Sequence, residues 1–326
     1  MRGRITERVH HDLARLGRRS AVVRDRALRK YFPTLERIGV HAVPRHWFEP
    51  IPDRSTLTDD VFDRRSDLVG VDLRLPAQLE LLRAFALRFG DEYGALPATA
   101  AEATPGGYYL HNGTFESVDA EILYSMVRWL RPRMLVEVGL GYSSVLIDQA
   151  LARNATEGDP RCRHVGIDPW PDAVLDGLAD IEILRQPVEQ TPIELFTGLG
   201  AGDILFIDST HVLRTGGDVV FEFLEVLPRL APGVVVHVHD IFLPGEYPRR
   251  WLVDNLWFPT EQYLLQAFLT HNDAYQVLWA SAAFAASHSE ELSRSIPSRP
   301  NAMGPGSFWL RRNGCPPTPL PDGATR

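Results

Sequence analysis

Three clusters of side chains in this 326-residue chain can do chemistry, and their spacing says which kind. The first is MLVEVGLGYSS at 134–144, followed by VGIDP at 165–169. An apolar run carries Glu137, then Gly139 and Gly141 one residue apart, then Tyr142, Ser143 and Ser144 opening a helical pattern; a second apolar run ends in Asp168. That order describes a strand, a tight turn, a helix and a second strand ending in a carboxylate, the unit that holds an adenosine-containing cofactor. Glycines at 139 and 141 let the backbone approach a ligand without a Cβ in the way. Ser143 or Ser144 can cap the helix, whose first N–H groups face the same crevice. Asp168 stands where a carboxylate can accept hydrogen bonds from both ribose hydroxyls.

The second and third clusters are DSTH at 208–211 and HVHD at 237–240, each at the end of an apolar run. In an open α/β sheet ligands gather outside the carboxyl ends of the strands. Neighbouring strands lie ~5 Å apart, so Asp208, His211, His239 and Asp240 can converge beside the cofactor. His211, with an ordinary pKa near ~6.5, suits the role of general base; the alternative is a ring bonded to Asp208 that shapes the loop. His239 and Asp240 can bind a metal or position a substrate, and Asp240 can itself act as base. His237 shares the strand face of His239 but lies deeper, and a satisfied core histidine is expected there.

The first cluster resembles class I S-adenosylmethionine-dependent methyltransferases, whose E/D-x-G-x-G pattern matches Glu137, Gly139 and Gly141. A dinucleotide fingerprint fits less well. Ser144 replaces its third glycine, and Asp168 lies 29 residues beyond Gly139 where roughly 20 are expected. Over a longer span the chain resembles catechol O-methyltransferase and its sugar and macrolide relatives. That resemblance implies a magnesium site formed by an acid closing the fourth strand and a pair closing the fifth. Counted from Gly233, the pair falls on His239 and Asp240, so Asp208, His239 and Asp240 are the expected metal residues. His239 departs from the pattern, because Mg²⁺ prefers oxygen ligands. Three readings stay open: magnesium in an altered geometry, a softer ion such as Mn²⁺, Fe²⁺ or Zn²⁺, or no metal. Asn112, in HNGT at 111–114, matches a short Asn-Gly segment that touches cofactor and substrate in that family. FIDSTH, HDIFLPGEYP and EQYLLQAF resemble phrases of a broader bacterial group in the same superfamily.

These residues need a scaffold. Apolar runs at 134–138, 163–167, 181–185, 203–207 and 233–239 predict strands. Helical patterns lie between them near 144–153, 172–179, 191–198 and 216–230. The alternation requires a parallel sheet with helices on both faces. Runs at 275–281 and 307–311 supply two terminal strands, and the resemblance implies that the last lies antiparallel between its neighbours. The expected fold is therefore α/β: a Rossmann-like, seven-stranded, mostly parallel sheet. Helices are also expected at 76–92, 118–130 and 260–270. Residues 1–115 are expected to be a mainly helical and irregular lid or dimer element, with a loop at 45–53 and a linker at 95–107. The cofactor domain is expected over 116–312, with an aromatic insertion at 241–262 and a disordered tail at 313–326.

Composition sets limits. A net charge of −8 argues against nucleic-acid or membrane-surface partners. Basic character is local: residues 1–30 hold ten Arg and Lys against three acids, and 5–31 is expected to be a basic amphipathic helix. Neither a signal peptide nor a membrane span is expected. Two cysteines, Cys162 and Cys315, are too few for a disulfide framework and fit a reduced cytoplasm. The chain is read as a cytoplasmic, homodimeric enzyme that moves the methyl group of S-adenosylmethionine to a hydroxyl or amine of a small molecule. Asp208 and His211 are its expected catalytic residues, with or without a divalent metal such as Mg²⁺ or Mn²⁺. Two other readings remain: an NAD-dependent oxidoreductase, and a non-catalytic cofactor-binding protein.

Overall fold

A computed structural model describes residues 30, 32–41, 50–298, 304–316 and 318–321. The chain divides into two compact units, Met1–Thr58 and Asp59–Arg326. In the first, residues 32–36 are helical and Arg54–Thr56 forms a 3₁₀ turn capped by Asp53. The basic helix expected at 5–31 lies outside the described residues except for Lys30, and 45–49 of the expected aromatic loop are also outside them.

The second unit is built on seven strands: β1 (Met134–Val138), β2 (Arg163–Ile167), β3 (Ile181–Leu184), β4 (Ile204–Ile207), β5 (Val235–Val238), β6 (Tyr275–Ala280) and β7 (Phe308–Arg312). Their order is β3-β2-β1-β4-β5-β7-β6. The first five run parallel, and β7 pairs antiparallel with both β5 and β6. This is the expected seven-stranded Rossmann-like sheet with its reversed strand inserted. The central strands are apolar almost throughout because both faces are covered. Leu135, Ile204, Phe206 and Val235 pack to one side, whereas Val136, Val138, Leu205, Ile207, Val236 and Val238 pack to the other, the period-2 alternation of a strand.

Among the described residues of this unit, ten α-helices accompany the sheet: α1 (Asp59–Asp63), α2 (Leu75–Tyr93), α3 (Asp119–Leu130), α4 (Tyr142–Thr156), α5 (Glu194–Thr197), α6 (Asp218–Phe221), α7 (Arg249–Val253), α8 (Glu261–Leu269), α9 (Ser281–Ser287) and α10 (Ser289–Ser295). Helices α2, α3 and α4 share one core with the first face of the sheet. The fully buried Arg128 of α3 ties them together, donating to Glu92 of α2 at 2.7 Å and to Glu157, just past α4, at 2.6 Å. Residues 59–115 are thus part of the sheet unit, and the boundary falls at 58/59 rather than at 115.

Three expected helices are shorter or broken. The 172–179 pattern yields only a 3₁₀ turn, Ala173–Gly177, with Asp172 accepting from the Val174 N–H. The 191–198 pattern keeps only α5 as α-helix. The 216–230 pattern runs through α6, a π-turn at Glu222–Val226 and a 3₁₀ turn at Leu227–Arg229. Pro228 lacks the N–H that a continuing α-helix needs. After β7 the chain is irregular but tethered: Asn313 donates to the Asp273 carbonyl and Trp129 donates to that of Pro319. Residues 317 and 322–326 lie outside the described residues.

Candidate functional site

The turn after β1 is fixed by contacts beneath it. Gly139 adopts φ +79°, and a Cβ there would lie 1.8 Å from the Asp208 carbonyl oxygen. Glycine at 139 is therefore required because the β1 and β4 loops touch, which differs from the ligand approach expected. At Gly141 a Cβ would meet nothing within 4 Å, so it is this glycine that keeps the crevice clear. Asp168, following β2, accepts from Leu140 N–H through Oδ2 at 3.0 Å and from Trp170 N–H through Oδ1 at 2.7 Å. Each oxygen retains a lone pair for a ribose hydroxyl.

Four expected cofactor residues stand behind the cavity wall instead of on it. Glu137 is fully buried, accepting from Ser143 Oγ at 2.7 Å and pairing with His164 Nε2 at 2.9 Å. Ser144 Oγ accepts the Gly141 N–H at 3.2 Å. Asn112 spends its side chain on its own turn: Oδ1 accepts from Thr114 and Phe115, and the amide donates to the Tyr109 and Phe115 carbonyls. Glu137, Ser143, Ser144 and Asn112 thus shape the walls that Tyr142, Thr114 and Phe115 line.

The cavity itself has a volume of about 430 Å³ and brings together Gly139, Gly141, Tyr142, Asp168, Asp208, His239 and Asp240. Trp251 and Trp257, from the 241–262 insertion, close its far side. These two tryptophans and Asp240 also line an adjoining space of about 380 Å³, bounded by His211, Val212, Phe258 and Pro259. The insertion holds its shape by packing Phe242, Tyr247 and Trp251 on one another. The Tyr247 hydroxyl accepts the Gln262 N–H at 2.8 Å.

Asp208, His211 and Asp240 converge where the two spaces meet, with the buried Glu261 behind His211. His211 Nε2 lies 3.3 Å from Asp208 Oδ1 and 3.3 Å from Asp240 Oδ2, while Nδ1 lies 2.8 Å from Glu261 Oε2. His211 and Asp240 both occupy the left-handed region, at φ 59° and 56°, a strain that persists only where surroundings over-determine it. Burial works against a charge on His211, yet hydrogen bonds to Asp208 and Glu261 and the charge of Asp240 raise its pKa well above the ordinary value. Burial raises Asp240 and Glu261. Burial would raise Asp208 too, but the charges of His239 and His211 outweigh it and hold that carboxyl below its usual range.

These geometries bear on two expectations. The carboxylates around His211 raise its pKa, which makes its neutral, proton-accepting form harder to reach in the absence of a cation. Among the described residues, Asp208, His211 and Asp240 have ligand atoms that all lie within 4.8 Å of one another and could share one cation; His239 is not in that group. His239 Nε2 is 3.7 Å from Asp240 Oδ1, and its ring packs 4.8 Å from Phe115. Two carboxylate oxygens and one imidazole nitrogen suit a divalent transition ion. His237 is the core histidine expected: burial and His239 lower its pKa, Nε2 meets Ser307 Oγ at 3.0 Å, and its ring stacks on Phe206. Glu261 escaped sequence reasoning. Its signal was an acid opening a helix after Thr260, in a phrase already quoted for its resemblance.

Residues 136–241 match a family model described as a methyltransferase domain. An uncharacterised protein of Archaeoglobus fulgidus is 28% identical over 184 residues, 54% of this chain and 76% of that one. Among solved structures, an O-methyltransferase from Bacillus cereus in complex with SAH is 14% identical, with a TM-score of 0.39 over 78% of this chain and 94% of that one. The O-methyltransferase TomG from Streptomyces achromogenes, in complex with SAM, is 18% identical, with a TM-score of 0.37 over 76% and 93%.

Proposed function

We propose that this protein, whose residues 136–241 match a methyltransferase domain, transfers the methyl group of S-adenosylmethionine to a hydroxyl of a small-molecule acceptor. One observation carries the reading. A single cavity joins the Gly141–Tyr142–Asp168 wall, suited to an adenosine, to the Asp208–Asp240 cluster and a second space lined by Trp251, Trp257 and Phe258. The sheet order supports it independently, because the inserted antiparallel β7 is what the sequence resemblance implies.

The sulfonium of the donor is already a strong electrophile, so the protein contributes mainly position, dryness and proton removal. The acceptor oxygen attacks the methyl carbon, the carbon–sulfur bond breaks with its electrons passing to sulfur, and S-adenosylhomocysteine leaves. Asp168 fixes the ribose. The buried Trp251 helps exclude water, and with the more exposed Trp257 it favours a flat apolar acceptor body. The acceptor proton passes to Asp240, whose carboxyl is made more basic by burial and lines both spaces; such general base help contributes roughly 10²–10⁴-fold. A divalent cation held by Asp208 and Asp240, when bound, would lower the pKa of the acceptor hydroxyl.

The test is turnover with S-adenosylmethionine and a panel of phenols, vicinal diols, sugars and matched amines, read by mass spectrometry. Formation of S-adenosylhomocysteine together with a hydroxyl compound heavier by one methyl group is expected, with flat aromatic alcohols preferred. Methylation of the amines alone would overturn the choice of oxygen. No S-adenosylhomocysteine with any acceptor would count against the whole reading.

A further inference from the structure

His211 is held more tightly than a loop histidine needs to be. Its carbonyl accepts the N–H groups of Thr260 at 2.8 Å and Glu261 at 3.1 Å, bolting the 208–213 loop to the start of α8. Thr260 Oγ1 accepts the Leu213 N–H at 2.8 Å. Its Nδ1 is taken by Glu261, a carboxylate with 0% exposure whose second oxygen finds no partner among the described residues. Backbone strain, a locked carbonyl and a locked Nδ1 leave one ring atom, Nε2, aimed between two carboxylates. A carboxylate behind a histidine whose other nitrogen faces acidic ligands is the arrangement that orients metal-binding imidazoles and makes them more basic. Three carboxylates around one ring also leave an excess of negative charge that a divalent cation would offset.

We infer that His211 Nε2 is the third protein ligand, with Asp208 and Asp240, of a divalent cation of borderline softness, and that Glu261 is the positioning residue that presents it. The inference rests on the methyl-transfer reading only for the site's place beside the donor. One nitrogen among oxygens shifts preference away from Mg²⁺, which takes oxygen, toward Mn²⁺, Fe²⁺, Co²⁺ or Zn²⁺. His239, although next to Asp240 in sequence, is left as a wall residue against Phe115.

The experiment uses the full chain freed of metal, titrated with Co²⁺, Mn²⁺ and Mg²⁺, with affinity measured by calorimetry and nitrogen coordination to Mn²⁺ by pulsed electron paramagnetic resonance. Binding of S-adenosylhomocysteine is measured on the same samples. The wild-type protein should bind Co²⁺ at least tenfold more tightly than Mg²⁺ and show one nitrogen coupled to Mn²⁺. That coupling should vanish in His211→Asn and persist in His239→Asn. Glu261→Gln should weaken Co²⁺ roughly 10–100-fold, the range typical of a lost outer-shell partner, while retaining S-adenosylhomocysteine binding. No metal binding, no nitrogen coupling in the wild type, or coupling that follows His239 would each overturn the inference. Where His211→Asn is not folded by circular dichroism, His211→Gln replaces it, and the wild-type spectrum already decides whether nitrogen binds. A wild-type protein that binds metal through nitrogen but not S-adenosylhomocysteine would refute the methyltransferase reading alone.

Discussion

Asp168 holds the turn through both carboxylate oxygens, and in the proposed complex those oxygens also receive the ribose. Asp168→Ala should therefore weaken S-adenosylhomocysteine by about 10–100-fold, the equivalent of ~1.5–3 kcal/mol for hydrogen bonds to a charged group; calorimetric titration of the variant checks it. Gly139→Ala tests a different residue. With φ +79° and a Cβ 1.8 Å from the Asp208 carbonyl, alanine must push the β1 and β4 loops apart, and a loss of about 2 kcal/mol or more is expected in denaturant midpoint. An unchanged midpoint would show that the loops separate freely. At this scale the sequence placed some of the expected residues at the cavity and left others behind its wall. Gly139, Gly141, Asp168, Asp208 and Asp240 reach the cavity wall as their spacing implies. His239 was expected in the metal set over His211 because strand counting reports which residues end a strand. The short Asp208–His211 spacing did bring His211 to the same cleft, but it does not report that Nε2 lies 3.3 Å from both Asp208 and Asp240. Glu261, fifty residues downstream of His211, could be paired with it only in three dimensions.

At the scale of elements, strands were legible where apolar runs end abruptly. β1 and β2 fall at the expected residues, since a buried parallel strand is a continuous hydrophobic segment bounded by glycine or charge. Helices that depended on a weak period fared worse, notably 172–179 and 216–230, where Asp172 capping and Pro228 decide the local form. Helix α3 carries a feature no periodicity reveals: Glu121 is 2% exposed on its buried face, beside Ser117 and Ser298. Burial raises its pKa from 4.5 to about 7. The folded state therefore keeps a proton that the unfolded chain releases near pH 4.5. This contribution is complete below that pH, declines as pH rises toward 7, and is gone above it, at about 1.4 kcal/mol per pH unit. Glu121→Gln should flatten this decline in urea midpoints measured from pH 5 to 7.5. A slope identical to wild type would show that Glu121 is not the group responsible.

Over the whole molecule, the cavity lies within the Asp59–Arg326 unit and draws on β1, β2, β4, β5 and the 241–262 insertion. Among the described residues no helix is long and apolar enough to cross a membrane. A ligand that binds only the folded state at 100 times its Kd stabilises by ~2.7 kcal/mol, so saturating S-adenosylhomocysteine should raise Tm by about 5 °C. NAD at the same concentration should leave it unchanged in a thermal scan. The overall α/β order was legible because its motifs recur along the chain, whereas the acceptor space was not. Its walls come from the proline-rich insertion folded back over the strand ends, where side-chain pattern does not dictate path. The central claim is that this cavity holds S-adenosylmethionine, and its most direct test is calorimetric titration of the 326-residue chain with S-adenosylhomocysteine and, separately, with NAD. One S-adenosylhomocysteine bound per chain, with no heat from NAD, is the result expected. Binding of NAD, or of neither, would contradict it.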